Sequence, residues 1–242
     1  GNITPAGGIS DEWEHSMGLD FGGLPGGYGW IFPKSDHLNI GLGGWRYIGP
    51  TLRDRLSKLV RFYGFDPADL WGLRGYHLPV RQQGSPLMDG NVLLVGDAAG
   101  LLDPLTAEGI YAAVWSGVTS ARHISAYVGG QASDLEGYRR EVESELLSEL
   151  SVSRKLHDVF HLWPGLFVRV EFRYSILWNA VVLMLRGEWT YISVKNKLGR
   201  VWPFVELLSD LVRVTPLLRR ISGLRDPAPP ERFFRRGAHD SV

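Results

Sequence analysis

The chain has 242 residues with 26 basic and 26 acidic side chains, so its formal net charge is zero. A neutral chain has no overall field to attract nucleic acid, and we expect no nucleic-acid partner. The lack of cysteine excludes disulfide scaffolds, thiolate metal sites and cysteine nucleophiles from this chain. An apolar content of 44% predicts a folded protein. The sequence starts at Gly1, without methionine and without the basic-then-apolar opening of a secretory signal, which hints at a piece of a longer chain. We expect a cytoplasmic protein, with peripheral membrane contact as an open alternative.

The first part of the chain predicts an antiparallel sheet followed by a helix. Apolar and aromatic runs separated by glycine and proline turns predict three strands, at Met17–Phe21, Tyr28–Phe32 and Leu38–Leu42. Apolar residues recur at helical spacing over Thr51–Tyr63, which predicts a helix. A short strand is predicted at Tyr76–Val80.

The middle of the chain carries the pattern that points to chemistry. An apolar strand predicted at Asn91–Val95 leads into Gly96-Asp97-Ala98-Ala99-Gly100, and helices are predicted over Thr106–Val128 and Leu135–Phe160. Small residues let a ligand approach the backbone, and a carboxylate at the end of a strand accepts hydrogen bonds from sugar or ribitol hydroxyls. A helix that starts near Thr106 would aim free N–H groups at the same ligand. The alternative is a tight strand-to-helix turn with Asp97 as its cap.

Two motifs carry a resemblance to a known family. The run Gly96-Asp97-Ala98-Ala99-Gly100, followed by Asp103-Pro104-Leu105-Thr106-Ala107-Glu108-Gly109-Ile110, resembles the second flavin-binding motif of FAD-dependent hydroxylases and reductases, and most of all that of the geranylgeranyl reductases. Tyr28-Gly29-Trp30-Ile31-Phe32-Pro33 is similar to that family's Tyr-x-Trp-x-Phe-Pro signature, and Asn39–Gly43 to the strand that follows it. The family usually has glycine where this chain has Ala107, so the backbone has less freedom there.

The resemblance implies roles for specific residues. Asp97 would contact the ribitol of FAD, and the start of the following helix would lie against the pyrophosphate and the isoalloxazine ring. The implied cofactor-binding residues are Gly96, Asp97, Ala98, Ala99, Gly100, Pro104, Ala107, Glu108, Gly109 and Ile110. The implied wall of the substrate cavity consists of Tyr28, Trp30, Phe32 and Pro33. Without the resemblance, the alternating aromatic residues would be interpreted as a core face. No catalytic residue is identified, and we expect no metal site.

The resemblance also implies a fold. We expect an α/β protein, of α+β type in this fragment, with part of a Rossmann-like FAD-binding domain, an antiparallel substrate-domain sheet and C-terminal helices. The implied regions are 1–80 for the sheet and its connecting helix, 81–130 for the second half of the FAD-binding domain, and 131–242 for the helices. The Gly-x-Gly-x-x-Gly unit that holds the ADP half of FAD is absent, since the nearest run, Gly41–Arg46, fails at its last position. We therefore expect an N-terminally incomplete chain that binds FAD poorly by itself.

The implied function is reduction of C=C bonds in the isoprenoid chain of a lipid, quinone or pigment precursor by an FAD-dependent oxidoreductase. The electron donor, a reduced nicotinamide or a ferredoxin-like protein, stays open. One alternative is a flavin-dependent monooxygenase or halogenase, although the aromatic signature argues against it. Another is a remnant without catalysis that binds prenyl lipids or a membrane.

The C-terminal third is apolar and rich in arginine. Tyr174–Leu185 is too short to span a bilayer, which needs about 20 residues. Trp202–Arg236 mixes apolar residues with arginines, which suits either a helix on an anionic membrane surface or a helical cap with a solvated basic tail. His157 and His161 have helical spacing, but no carboxylate pattern completes a metal site, so we interpret them as structural or solvent-facing.

Overall fold

The computed structural model describes residues 1–21, 23–82, 84–174 and 176–222. It confirms the expected mixture of helices with antiparallel sheet. The chain begins with a four-stranded antiparallel sheet in the order β1-β4-β3-β2, with one short helix, α1 (Asp11–Glu14), between its first two strands. The strands are β1 (Asn2–Ile3), β2 (Gly18–Asp20), β3 (Gly29–Pro33) and β4 (Leu38–Leu42). The three predicted strands are confirmed to within two residues at each end, whereas β1 is too short to leave a sequence pattern.

Helix α2 (Leu52–Phe62) covers one face of this sheet. Its predicted apolar stripe is confirmed, because Leu56, Leu59 and Val60 are buried against the strands. From β3, Ile31 points into this core, opposite Ile40 of β4. Side chains alternate along a strand, so the residues on either side of Ile31 must face the other way.

The loop that precedes β3 and the loop that follows β4 contact each other through their glycines. A Cβ on Gly27 would overlap the carbonyl oxygen of Gly43 and lie 2.7 Å from the Cα of Gly44. A Cβ on Gly26 would overlap the indole of Trp45. Only residues without a side chain allow this close approach of backbone to backbone and of backbone to ring.

The second core contains a small hairpin and helix α3 (Ile110–Val128). The hairpin strands are β5 (Met88–Asp89) and β6 (Val92–Leu93), which pair antiparallel. The strand predicted at Asn91–Val95 is therefore confirmed only at its centre. The strand predicted at Tyr76–Val80 is wrong, since Val80 makes a single isolated bridge, to Leu101. Pro79 has no N–H to donate to a ladder, which explains why pairing fails there.

One continuous helical segment runs from Glu136 to Phe160, as predicted, but its middle is wider than an α-helix. It consists of α4 (Glu136–Glu141), a π-helical segment (Val142–Leu147) and α5 (Ser148–Phe160). Tyr138 and Val142 pack into the core that holds α3 and the hairpin, and the Tyr138 hydroxyl donates to the carbonyl of Leu94 at 2.5 Å.

Five further helices follow in the described part of the chain, which agrees with the expected C-terminal helical region. They are α6 (Pro164–Arg173), α7 (Ile176–Leu185), α8 (Tyr191–Leu198), α9 (Trp202–Val214) and α10 (Pro216–Ile221). Prolines occupy the first turns of α6, α9 and α10, where their missing N–H costs nothing. None of the described helices has the length and apolar character needed to cross a membrane. The predicted basic tail, from Arg225 onwards, lies outside the described residues.

We expect Gly27→Ala to lower the free energy of unfolding by about 3 kcal/mol, because the new methyl group overlaps backbone that has no room to move. Gly43→Ala is the matched control in the facing loop, since a Cβ there meets no atom within 4 Å. The control should be neutral or gain up to about 1 kcal/mol through a less flexible unfolded chain. Chemical denaturation measures both, and equal stabilities of the two variants would contradict the close contact.

Candidate functional site

The predicted aromatic wall lies on the face of the sheet opposite its core. Tyr28, Trp30 and Phe32 are half-buried, with ring centroids 6.1 Å apart between the first two and 6.3 Å apart between the last two. Pro33, also half-buried, ends the strand. The alternative interpretation of these rings as a core face is wrong, because Ile31 and Gly29 occupy that role.

Trp30 is fixed by its neighbours on β4. Its indole N–H donates to Oδ1 of Asn39 at 2.9 Å, and the ring lies directly across Gly41, where any Cβ would overlap it. The Asn-x-Gly pattern of this strand thus has a local physical reason. The asparagine orients the indole and the glycine makes room for it, so the ring presents a fixed apolar surface.

The predicted cofactor segment begins with a tight turn whose glycines serve the fold itself. Gly96 and Gly100 have φ of 51° and 67°, and a Cβ on them would lie 3.0 Å from Ala113 and from the backbone of Arg81, respectively. The Gly96 N–H donates to the hydroxyl of Ser116 at 2.9 Å, and Ala99 is buried in the second core. Glycine here is required by backbone conformation and by helix packing.

Asp97 and Ala98 are the exposed members of that turn. The carboxylate of Asp97 has no hydrogen-bond partner among the residues that the structure describes, and it caps neither its own turn nor α3. Its Oδ1 lies so close to Gly109 that a Cβ there would be 2.9 Å away. The alternative of Asp97 as a structural cap is therefore wrong in this structure, and the carboxylate is open to a ligand.

Helix α3 begins at Ile110, four residues later than predicted, because the preceding residues form a loop. Asp103 organises this loop around Pro104, which is half-buried. Its Oδ1 accepts from the N–H groups of Leu105 at 2.8 Å and Thr106 at 3.1 Å. Asp-Pro-x-Thr is a turn signature, since an aspartate readily accepts from backbone N–H groups two and three residues ahead.

The sequence predicts free N–H groups at the start of α3, but the residues just before the helix occupy two of them. Ala107 has a φ of 56°, the one positive value at a non-glycine residue in the described part of the chain. Oε1 of Glu108 accepts from the N–H of Ile110 at 2.6 Å and of Tyr111 at 3.1 Å. Two donors expected to face the cofactor are thus held by an exposed carboxylate of the chain itself, which an incoming anion would have to displace.

A hydrogen bond joins the aromatic wall to the cofactor loop. The Tyr28 hydroxyl donates to the carbonyl of Thr106 at 2.6 Å. Burial, helped by the charge of Asp103, raises the pKa of Tyr28, so the phenol keeps its proton for this bond. The two motifs, separated by 78 residues, therefore lie side by side.

The sequence did not indicate the residues of the later helices that interact with Asp103 and so hold the loop next to the aromatic wall. The Ser153 hydroxyl of α5 donates to Oδ1 of Asp103 at 2.7 Å. Burial and the charge of the same aspartate raise the pKa of Tyr191 of α8 far above its usual range. Only the turn signature around Asp103 could have been recognised in the sequence, because Ser153 and Tyr191 come from distant helices.

A buried ionic cluster on α5 contains the two histidines. His157 packs edge-on against Trp45 and lies 4.3 Å from His161, measured between ring centroids. Oδ2 of Asp158 accepts from the hydroxyl of Ser209 at 3.0 Å and from Nε of Arg213 at 2.8 Å. These positions agree with the interpretation of His157 and His161 as structural.

The cluster has consequences for protonation. Burial works to raise the pKa of Asp158, but its contacts with His157 and Arg213 outweigh burial and hold the pKa below its usual value. Burial and the neighbouring His157 lower the pKa of His161 to about 3. His161 is therefore neutral in the folded protein at any physiological pH.

We expect Ala107→Gly to be neutral or to raise the free energy of unfolding by up to about 1.5 kcal/mol. Relief of the left-handed conformation of alanine contributes about 1–2 kcal/mol, and the freer unfolded chain subtracts about 0.4–1 kcal/mol. Ala98→Gly, at an exposed residue with negative φ in the neighbouring turn, should instead lose about 0.5–1 kcal/mol. If chemical denaturation shows the same loss for both variants, Ala107 is not strained.

Because the pKa of His161 is lowered by folding, we expect the protein to lose stability as the pH falls. The unfolded histidine binds a proton below about pH 6.5 and the folded one only near pH 3, so stability falls between these values by up to about 1.4 kcal/mol per pH unit. His161→Gln should reduce the number of protons taken up on unfolding by up to one and so make the free energy of unfolding depend less steeply on pH. His15→Gln, at an exposed position, should leave the slope unchanged. Urea denaturation at several pH values measures both slopes, and parallel curves for His161→Gln and the parent chain would refute the assignment.

Comparison with known proteins places these motifs in context. No protein-family model matches the chain. It is 39% identical over 97 residues to a digeranylgeranylglycerophospholipid reductase of Methanospirillum hungatei, covering 38% of this chain and 24% of that protein. It is 29% identical over 138 residues to a geranylgeranyl diphosphate reductase of Rhodobacter capsulatus, covering 57% and 35%.

The fold has a counterpart among solved structures. A geranylgeranyl bacteriochlorophyll reductase-like protein from Thermoplasma acidophilum superposes with a TM-score of 0.50 and 22% identity, over 64% of this chain and 41% of that one. The chain thus spans between a quarter and two fifths of the length of these relatives. Together, the two motifs, the matching sequences and the shared fold confirm that the chain is related, over a part of its members' length, to the geranylgeranyl reductase family.

Proposed function

We propose that this chain carries the part of an FAD-dependent prenyl reductase in which the flavin meets the isoprenoid substrate. The reaction would saturate C=C bonds of a geranylgeranyl or similar chain on a lipid, quinone or pigment precursor. The names of the relatives, a digeranylgeranylglycerophospholipid reductase and a geranylgeranyl diphosphate reductase, support this class of reaction. The electron donor would be a reduced nicotinamide or a ferredoxin-like protein.

One observation carries the proposal: the hydrogen bond of 2.6 Å from Tyr28 to the carbonyl of Thr106. It brings the aromatic wall against the loop that leads from Asp97 to α3. A reductase of an apolar chain needs these two surfaces together, because the reacting alkene must lie within bonding distance of its reductant. Neither motif alone would require the other as its neighbour.

The residues of the loop fit the ribitol and ring of FAD. The Asp97 carboxylate is exposed and without a partner in the described structure, so it can accept from two hydroxyls. Ala98 and Gly109, on either side of it, present almost no side chain. Glu108 is exposed and can rotate away from the N–H groups of α3 when an anionic part of the cofactor approaches. Bound FAD would supply the hydride for the alkene.

The aromatic wall would hold the isoprenoid. Trp30, held by Asn39 and seated on Gly41, offers a flat apolar surface, and Tyr28 and Phe32 extend it on both sides. Each methylene buried on such a surface contributes about 0.8 kcal/mol to binding. The same rings exclude water, which favours delivery of a hydride to carbon over side reactions.

Asp97→Asn tests the flavin site directly. The neutral amide is a weaker acceptor for ribitol hydroxyls, so we expect riboflavin and FAD to bind the chain about tenfold or more weakly, corresponding to at least about 1.4 kcal/mol. Quenching of flavin fluorescence in a titration measures this. Asp89→Asn, which removes an exposed carboxylate from the β5–β6 hairpin, is the matched control and should bind as the parent chain does.

Equal flavin affinity of Asp97→Asn and the parent chain would refute the ribitol role. Failure to bind riboflavin, which has no ADP half and therefore does not need the absent Gly-x-Gly-x-x-Gly unit, would refute the cofactor. The same chains, incubated without oxygen with flavin, dithionite and a geranylgeranyl lipid, separate reduction from oxygenation. A reductase raises the mass of the lipid by two hydrogens for each bond. A product that forms only with oxygen would favour a monooxygenase instead.

A further inference from the structure

Helices α9 and α10 both present large apolar side chains to solvent. The residues concerned, here called the α9–α10 apolar face, are Phe204, Leu207, Leu211, Val214, Leu217 and Ile221. The four on α9 follow one another at spacings of three and four residues, so they share one side of the helix. Phe204 is 60% exposed and Leu217 66% exposed, which is far more than a packed helix surface shows.

The opposite side of α9 already supplies its packing. Trp202, Val205 and Val212 are buried, the first two in a core with residues of α5. The α9–α10 apolar face therefore takes no part in packing α9 against the rest of the described structure. A helical cap with a solvated outer side, the alternative left open by the sequence, would carry polar residues at these positions. A contiguous exposed apolar surface instead marks a place where something binds.

The charge around the face indicates which partner it fits. The chain from Tyr191 to Ser222 has six lysines and arginines against two acidic residues, and of the six Arg213 is already paired with Asp158 of α5. Arg200, just before α9, and Arg220, in α10, are exposed at the two ends of the face. Of the two acids, Glu206 is paired with Lys155 at 2.5 Å and Asp210 is exposed on α9. The surroundings of the face are thus cationic, which complements an anionic surface.

From these observations we propose that the α9–α10 apolar face lies on the surface of an anionic lipid bilayer. Phe204 and its neighbours would enter the boundary between headgroups and acyl chains, while Arg200 and Arg220 would meet lipid phosphates. Helices of 13 and 6 residues are too short to span a bilayer but suit an orientation parallel to its surface. The proposal does not depend on the proposed flavin chemistry.

Flotation of the chain with lipid vesicles tests the proposal. We expect it to float with vesicles of phosphatidylcholine mixed with phosphatidylglycerol and much less with phosphatidylcholine alone. Phe204→Ser combined with Leu207→Ser should lower the bound fraction at least about tenfold, because the inserted apolar area is lost. Val114→Ser with Val118→Ser is the matched control, since these valines are 62% and 66% exposed on α3, and it should float as the parent chain does.

A second pair of changes tests the charge. Arg200→Gln with Arg220→Gln should lower the preference for the anionic vesicles, and added salt should do the same in the parent chain. Circular dichroism of every variant should match that of the parent, since all four positions of the two serine pairs and both arginines are exposed.

Three results would overturn the proposal. The first is no flotation with either kind of vesicle. The second is an equal loss of the vesicle-bound fraction in the α9 and α3 variants. The third is a parent chain that is dimeric by light scattering and becomes monomeric on Phe204→Ser with Leu207→Ser, since a second copy would then cover the face. Flavin affinity is measured on the same variants, and it should be unchanged, which separates this test from that of the proposed function.

Discussion

The carboxylate of Asp103 binds groups from distant parts of the chain at one point. Its Oδ1 accepts two backbone N–H groups of its own loop and the hydroxyl of Ser153, fifty residues further along. The carbonyl of Thr106, in the same loop, receives the hydroxyl of Tyr28. Because three donors converge on one carboxylate oxygen, the loop can hardly adopt another shape while the bonds persist. The relation between the aromatic wall, the cofactor segment and the C-terminal helices depends on this aspartate.

Elements whose pattern is local could be predicted from the sequence. The alternation around Ile31 and the stripe of Leu56, Leu59 and Val60 identified β3 and α2 to within a residue or two at each end. The identity of the core-facing side of β3 could not be predicted, because both Ile31 and Trp30 are residues that pack well. It is the helix on one side of the sheet that decides, and periodicity along one strand carries no information about it.

The site shows a different boundary between what sequence can and cannot predict. The two motifs could be recognised from residue types, whereas the exposure of Asp97 and the start of α3 could not. A carboxylate two residues ahead of a helix can take over its first N–H groups, and Glu108 does so directly after Ala107, whose backbone is left-handed. Likewise Ser153 and Tyr191 have no mark of function in their own segments. They enter the site because the path of the chain brings α5 and α8 behind Asp103.

The π-helical segment Val142–Leu147 connects two stretches of helix that serve different neighbours. Tyr138, before it, faces the core of α3, and Ser153 and Asp158, after it, face the loop and α9. A wider turn accommodates about one extra residue, which in a regular helix would correspond to a rotation of roughly 100°. The segment therefore sets the rotation of α5 about its axis relative to α4. Loss of a single residue within it would leave the helix intact but turn Ser153 away from Asp103, so length in this stretch matters more than the identity of its side chains.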